Sequence, residues 1–139
     1  MKISDDRIIQ LLKQNNLKVT PQRLSICRVV LSSTNHPSAE EIYDIVKKEH
    51  RTISLATVYK TLNLLNKIGL ISELRFNGNF SRYDSKSEVH INIVCPKCMK
   101  IEDYESKKLN EIWENILSDI KGDIKGQRID VYKLCENCK

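Results

Sequence analysis

Ser54-Leu55-Ala56-Thr57-Val58-Tyr59-Lys60-Thr61-Leu62-Asn63-Leu64-Leu65, closed by Gly69, is the stretch that decides the fold. Leu55, Val58, Leu62 and Leu65 recur at helical spacing, the helix begins near Ser54, and Gly69 is a good stop residue. Beyond it come Leu70 to Phe76, an Asn77-Gly78 pair, and Asn79 to Tyr83. Asn-Gly between two extended runs is the strongest short hairpin signal. A helix followed at once by a hairpin reads as the second helix and wing of a winged helix-turn-helix, whose second helix enters a major groove. The expected non-buried polar positions of this helix are Thr57, Lys60, Thr61, Asn63 and Asn66, with Tyr59 at the margin. No Asp or Glu occurs in the 21 residues from Arg51 to Ile71, which suits an anionic partner. The bland alternative is a structural helix whose polar face happens to lack acids.

Three earlier helices complete the module. Asp5 to Asn16 carries Ile8, Leu11 and Leu12 on one face. Thr20-Pro21 places an N-cap before a proline at the first helical position, followed by Leu24, Cys27, Val30 and Leu31. In that pattern Cys27 reads as a buried core residue. Ser38-Ala39-Glu40-Glu41 is a capping box opening a helix over Ile42, Ile45 and Val46, which runs to about Glu49.

Charge and cysteines divide the 139 residues in two. Residues 1–84 hold 13 basic and 8 acidic side chains, whereas residues 85–139 hold 10 of each. Cys95, Cys98, Cys135 and Cys138 all lie in the neutral part. The expected division is therefore a winged-helix DNA-binding domain at 1–84 and a cysteine-bearing domain at 85–139. No apolar run exceeds three residues, and the N-terminus turns acidic at Asp5-Asp6, where a signal-peptide core would begin. The expectation is a cytoplasmic protein with no membrane span, in a compartment where five cysteines do not build a disulfide framework.

Cys95-Pro96-Lys97-Cys98 and Cys135-Glu136-Asn137-Cys138 form two C-x2-C pairs with 36 residues between them. Four thiolates on two tight turns satisfy tetrahedral zinc, one ion per chain, tying the extreme C-terminus to a distant segment. A redox-active C-x-x-C competes, but two such motifs in one small domain favour shared zinc. Of three histidines, His50 reads as a surface or core residue. His36, in the loop before the third helix, and His90, beside the first cysteine pair, are less easily dismissed. With Asp84 and Asp103 they make a donor set suited to divalent iron, manganese or zinc, although spacing alone does not assemble it.

Around the first cysteine pair, Val89 to Val94 and Lys100 to Tyr104 read as strands. Leu109, Ile112, Trp113, Ile116, Leu117 and Ile120 repeat at helical spacing, and Gln127 to Leu134 reads as an edge or final strand. Trp113 fits either the core or an interface, with the core the safer expectation.

Over almost its full length the sequence resembles the ferric uptake regulator (Fur) family of metal-dependent regulators. The carrying segments are Lys18-Val19-Thr20-Pro21-Gln22-Arg23, His36-Pro37-Ser38-Ala39-Glu40-Glu41-Ile42-Tyr43, Ser54 to Leu62, Ser81-Arg82-Tyr83-Asp84 and both cysteine pairs. The resemblance implies an α+β protein: an N-terminal winged helix-turn-helix and a small α/β dimerisation domain with structural zinc. It implies that Tyr59 reads bases, that Lys60 lies against the backbone, that Lys18 reaches the minor groove, and that Arg23 holds phosphate. Thr57 joins them as a polar position of the recognition helix. The regulatory metal, Fe(II) or Mn(II), falls on His36, Asp84, His90, Asp103 and a fifth position, Asn92, where the family has histidine. A further sensory site of many members looks absent, because Val89 and Ile91 occupy its ligand positions. Asp103 is typical of the family's peroxide-sensing branch, in which a histidine ligand is oxidised.

The expected function is a homodimeric transcriptional repressor of metal homeostasis or peroxide response, binding double-stranded operator DNA when a divalent metal closes the dimer. The alternative is a constitutive, zinc-stabilised DNA-binding protein whose regulatory site has degenerated at Asn92. Neither a membrane nor a small-molecule substrate is expected, and cysteine enzymology would have to rest on Cys27 alone.

Overall fold

Five helices open in the same way. Ser4, Thr20, Ser38, Ser54 and Ser106 each sit in extended backbone, and each side-chain oxygen accepts from the amide three residues on. Each hydroxyl satisfies one of the amides that a helix start leaves without an internal partner. The computed structural model describes residues 2–76, 81–85 and 88–139. Its helices are α1 (Asp5–Gln14), α2 (Pro21–Ser32), α3 (Ala39–Val46), α4 (Leu55–Lys67) and α5 (Lys107–Asp119). Its strands are β1 (Ser72–Arg75), β2 (Ser81–Asp84), β3 (Ile91–Val94), β4 (Ile101–Tyr104) and β5 (Ile129–Tyr132), with a short 3-10 turn at Glu136–Cys138.

The chain forms two compact units, Met1–Ser85 and Lys86–Lys139. In the first, α1 to α4 converge on a core containing Ile8, Leu12, Ile26, Val30, Ile42, Val58, Leu62 and Leu65. Cys27 lies in that core, fully buried. α4 ends in a Schellman motif: Leu70 N donates to Leu65 O at 3.0 Å and Gly69 N to Asn66 O at 3.1 Å. Gly69 takes the left-handed conformation at φ +82° that this ending requires. The antiparallel pair β1–β2 follows in register Glu73↔Tyr83 and Leu74↔Arg82. Asn77-Gly78, the expected hairpin turn, lies outside the described residues.

Two expectations for this unit need correction. Thr61, taken as a polar surface position, is 4% exposed, because residues 58, 61, 62 and 65 share the inward face of α4. α3 stops at Val46 rather than near Glu49, and Lys47 to Glu49 continue as turns closed by His50 N to Val46 O at 2.9 Å.

The second unit is a three-stranded sheet of order β4-β3-β5, with β3–β4 antiparallel and β3–β5 parallel. α5 makes the crossover from β4 to β5. β5 is thus an edge strand, and the parallel pairing carries the second cysteine pair towards the first. Lys133 N donates to Val94 O at 3.0 Å just before Cys135. Trp113 is half-buried rather than in a core, and its Nε1 donates to Gln127 Oε1. The reason lies in the size of the unit: of its described residues only Asn92, Val94 and Cys95 are buried.

Candidate metal centres and nucleic-acid interface

The two cysteine turns meet. The thiol sulfurs of Cys95, Cys98, Cys135 and Cys138 all lie within 4.8 Å of one another, and Cys98 Sγ is 3.7 Å from Cys135 Sγ. A tetrahedron of ~2.3 Å zinc–sulfur bonds has edges of about 3.8 Å, so the donor set fits zinc. Cys95 N donates to Lys100 O and Met99 N to Cys95 O, both at 2.9 Å, closing the first turn. Backbone amides of Cys98 and Cys135 aimed at its sulfur lower the Cys95 thiol to about 6. Hydrogen bonding to the Cys135 thiol, with burial, pushes Cys138 up to about 12. Four crowded thiols cannot all ionise by themselves, and a bound dication makes four thiolates compatible.

The other candidate ligands form one pair in each unit. In the first, His36 Nδ1 is 3.9 Å from Asp84 Oδ2, with His36 3% and Asp84 6% exposed. His36 has φ +51°, a conformation costing a non-glycine residue about 1 kcal/mol or more. The loop is held in it by Tyr83 N donating to Pro37 O at 3.0 Å and by Arg82 Nη1 donating to His36 O at 3.4 Å. Arg82 Nη1 also meets Glu41 Oε1 at 2.8 Å, fastening β2 to the start of α3.

In the second unit, His90 Nε2 is 3.9 Å from Asp103 Oδ1. Both His–Asp separations exceed a hydrogen bond, yet fall within the ~3–4.2 Å between two ligands of one ion with bonds near 2.1 Å. Asn92 is 2% exposed and pairs across the sheet with Asp103. On its other side Asn92 Nδ2 donates to Asp130 Oδ1 at 3.1 Å, and Arg128 Nη2 lies 2.8 Å from Asp130 Oδ2. Burial alone would raise the Asp130 carboxyl; hydrogen bonds from Arg128 and Asn92 outweigh it and hold the group below its ordinary value.

The candidate DNA-contacting residues lie in the first unit. Tyr59, Lys60, Asn63 and Lys67 are exposed on α4 around an open concavity. Thr57 is half-buried, its Oγ1 2.9 Å from the Ser54 cap. Lys18 is exposed, and Arg23 Nη1 donates to the Lys18 carbonyl at 2.6 Å, bracing the entry to α2. Tyr59 carries a contact that sequence reasoning missed: its hydroxyl donates to Glu40 Oε1 at 2.6 Å. That bond is the largest cause of both a raised Tyr59 hydroxyl and a lowered Glu40 carboxyl. A carboxylate thus stands beside a helix that itself has none, and only the spatial neighbour in α3 reveals it.

Sequence reasoning also missed a polar cluster in which Ser25 Oγ lies 2.8 Å from His50 Nε2 and donates to Glu49 Oε2 at 3.3 Å. It differs from a catalytic triad because Glu49 faces the same Nε2 rather than Nδ1. The cluster ties α2 to the turn after α3. The Cys27 thiol is raised to about 11 by burial, the opposite of an activated nucleophile. No helix among the described residues is long and apolar enough to cross a membrane.

Comparison with known proteins places this geometry. The ferric uptake regulator family matches residues 14–132. The peroxide-responsive repressor PerR of Staphylococcus aureus is 35% identical over 128 residues, 92% of this chain and 86% of that protein. The crystal structure of the Campylobacter jejuni peroxide stress regulator is 40% identical with a TM-score of 0.73, covering 94% of this chain and 98% of that one. The Helicobacter pylori ferric uptake regulator, described as having three functional metal binding sites, is 27% identical with a TM-score of 0.76. Its match covers 96% of this chain and 89% of that one. These relatives share the present fold, a DNA-binding winged helix with a small α/β domain, and the four-cysteine cluster of this chain suits structural zinc. This chain belongs to the ferric uptake regulator family, among transcriptional regulators of metal homeostasis and peroxide response.

Proposed function

We propose that this protein is a cytoplasmic, homodimeric, metal-responsive repressor in which one divalent ion bridges the two units of each chain. The bridge takes His36 and Asp84 from the winged helix, and His90, Asn92 and Asp103 from the sheet. The observation that carries the reading is that each unit presents a His–Asp pair at 3.9 Å, a spacing suited to two ligands of one ion. Fe(II) or Mn(II) would supply the charge that lets carboxylates from both units share one centre. His36 fits this role because its loop is stitched to β2, so a ligand held there fixes the orientation of the wing. In the closed dimer Tyr59, Lys60 and Thr57 of each α4 would face successive major grooves, while Lys18 and Arg23 meet the backbone. A tenfold preference of the metal for the closed state supplies about 1.4 kcal/mol of coupling per site. In the domain division, residues 1–84 bind DNA and 85–139 dimerise; the exposed Ile112 and Ile116 on α5, with Ile120 just after it, are the apolar surface that a partner would cover.

The likeness to peroxide-responsive relatives favours hydrogen peroxide as a signal, with His36 or His90 as the oxidised residue. Metal content per chain, measured by mass spectrometry on protein purified anaerobically and reloaded with Mn(II) or Fe(II), tests the reading. One zinc plus one further ion, the latter lost in His36→Ala, is expected. One zinc and nothing else would leave the constitutive alternative.

A further inference from the structure

The central strand of the C-terminal sheet carries a neutral amide between two carboxylates. Register pairs Asn92 of β3 with Asp103 of β4 on one side and with Asp130 of β5 on the other, so the three share one face. An ionised carboxylate only accepts hydrogen bonds, so the amide must meet Asp130 through its nitrogen. Arg128 keeps that carboxylate in place, its Nε 3.1 Å from Oδ1 and 3.0 Å from Oδ2, and its Nη2 2.8 Å from Oδ2. Turning the amide over would break that bond and set its oxygen against the braced Asp130 carboxylate. With Nδ2 committed to Asp130, Oδ1 is turned away from it. This oxygen is buried and accepts no hydrogen bond among the described residues. Buried acceptors are seldom left in that state, and one held so points to a ligand. The neighbour of Asn92 in the row, Asp103, is the residue whose Oδ1 lies 3.9 Å from His90 Nε2.

We propose that Asp130, braced by Arg128, is a positioning residue that locks Asn92 with Oδ1 presented as a neutral oxygen donor beside His90 and Asp103. The site thereby favours oxygen-seeking cations such as Mn(II) over zinc. An amide oxygen is a harder donor than imidazole, so exchanging one for the other moves the preference in that direction. The inference rests on the regulatory-metal reading above and adds to it a device that makes Asn92 a ligand rather than a loss.

The test titrates Mn(II) into the full-length, zinc-loaded protein, follows free Mn(II) by electron paramagnetic resonance, and repeats the titration against competing Zn(II). Asn92→Ala and Asp130→Leu should each weaken Mn(II) binding by about tenfold, the usual effect of losing a ligand's support. The double variant should lose no more than Asn92→Ala alone, since Asp130 acts through Asn92. Asp130→Asn, which preserves shape but lets the amide turn either way, should give a smaller loss in the same direction. Asn92→His should move the Zn(II)-to-Mn(II) preference at least tenfold towards zinc. Retention of one zinc at the four cysteines reports an intact fold in every variant. The inference is overturned if Asp130→Leu weakens binding equally in the Asn92→Ala background, or if Asn92→Ala leaves Mn(II) affinity unchanged. Either result, alongside Mn(II) binding that His36→Ala abolishes, leaves the regulatory-metal reading intact. Absence of any Mn(II) binding to the parent protein overturns both.

Discussion

The two units of this chain are stabilised in different ways. The N-terminal unit buries Leu12, Ile26, Ile42, Val58, Leu62 and Leu65 completely, and its four helices share that one core. The C-terminal unit buries only Asn92, Val94 and Cys95 among its described residues, and leaves Ile112, Ile116, Ile120 and Val131 between 40 and 51% exposed. A unit of that length cannot enclose a sizeable core and relies on staples. Here the staple is the four-cysteine cluster, and in the proposed dimer a partner would cover the exposed α5 face. The first unit is made stable by packing, the second by its metal site and, in the proposed dimer, by association.

Removing the staple gives the largest effect. Cys135→Ser, or stripping zinc with a strong chelator, should abolish dimerisation and unfold the second unit, since structural zinc supplies on the order of 10 kcal/mol to small domains. Limited proteolysis should then leave a resistant fragment ending near Ser85, and complete digestion of both units would break the comparison. Next comes core truncation. Leu62→Ala should cost about 2–5 kcal/mol in urea unfolding, whereas Ile116→Ala should cost under about 1 kcal/mol in the isolated subunit and instead weaken the dimer in sedimentation. Equal costs would contradict the contrast.

Two smaller effects sharpen the picture of the DNA-binding unit. Glu40→Ala removes the carboxylate that holds Tyr59 and should tighten binding to duplex DNA roughly fivefold, about 1 kcal/mol, in fluorescence anisotropy. Unchanged or weaker binding would mean that Glu40 helps Tyr59 rather than restrains it. The smallest concerns Asp5, whose carboxyl is held below its ordinary value first by the hydrogen bond from Arg28 and then by that residue's charge. A carboxyl lowered in the folded state stabilises at neutral pH, and that contribution fades as pH falls below about 4, through the unfolded and then the folded value. Asp5→Asn should therefore lower the melting temperature slightly at pH 7, and by progressively less as pH falls below about 4.

The starts of α2, α3 and α4 were legible because each is written locally, in a hydroxyl residue three positions before the amide it caps. The cysteine pairs were legible because C-x2-C is a local turn whose chemistry demands a second pair. What escaped was decided by neighbours distant in sequence. Thr61 is polar, yet it shares a turn face with Val58 and Leu65, and burial follows the face. Trp113 sits at helical spacing with apolar residues, but no residue of α5 is buried within its unit. Asn92 read as a weakened ligand because the register that sets Asp130 beside it joins strands 38 residues apart. Arg128-x-Asp130, alternating on one strand face, was the only local hint of that support.

The central claim is that one divalent ion draws the winged helix and the sheet of each chain together. Small-angle X-ray scattering of the anaerobic, zinc-loaded dimer with and without one equivalent of Mn(II) tests it most directly. The account predicts a smaller radius of gyration with Mn(II), and no change in His36→Ala. One Mn(II) bound per chain with unaltered scattering, or compaction that persists in His36→Ala, would contradict it.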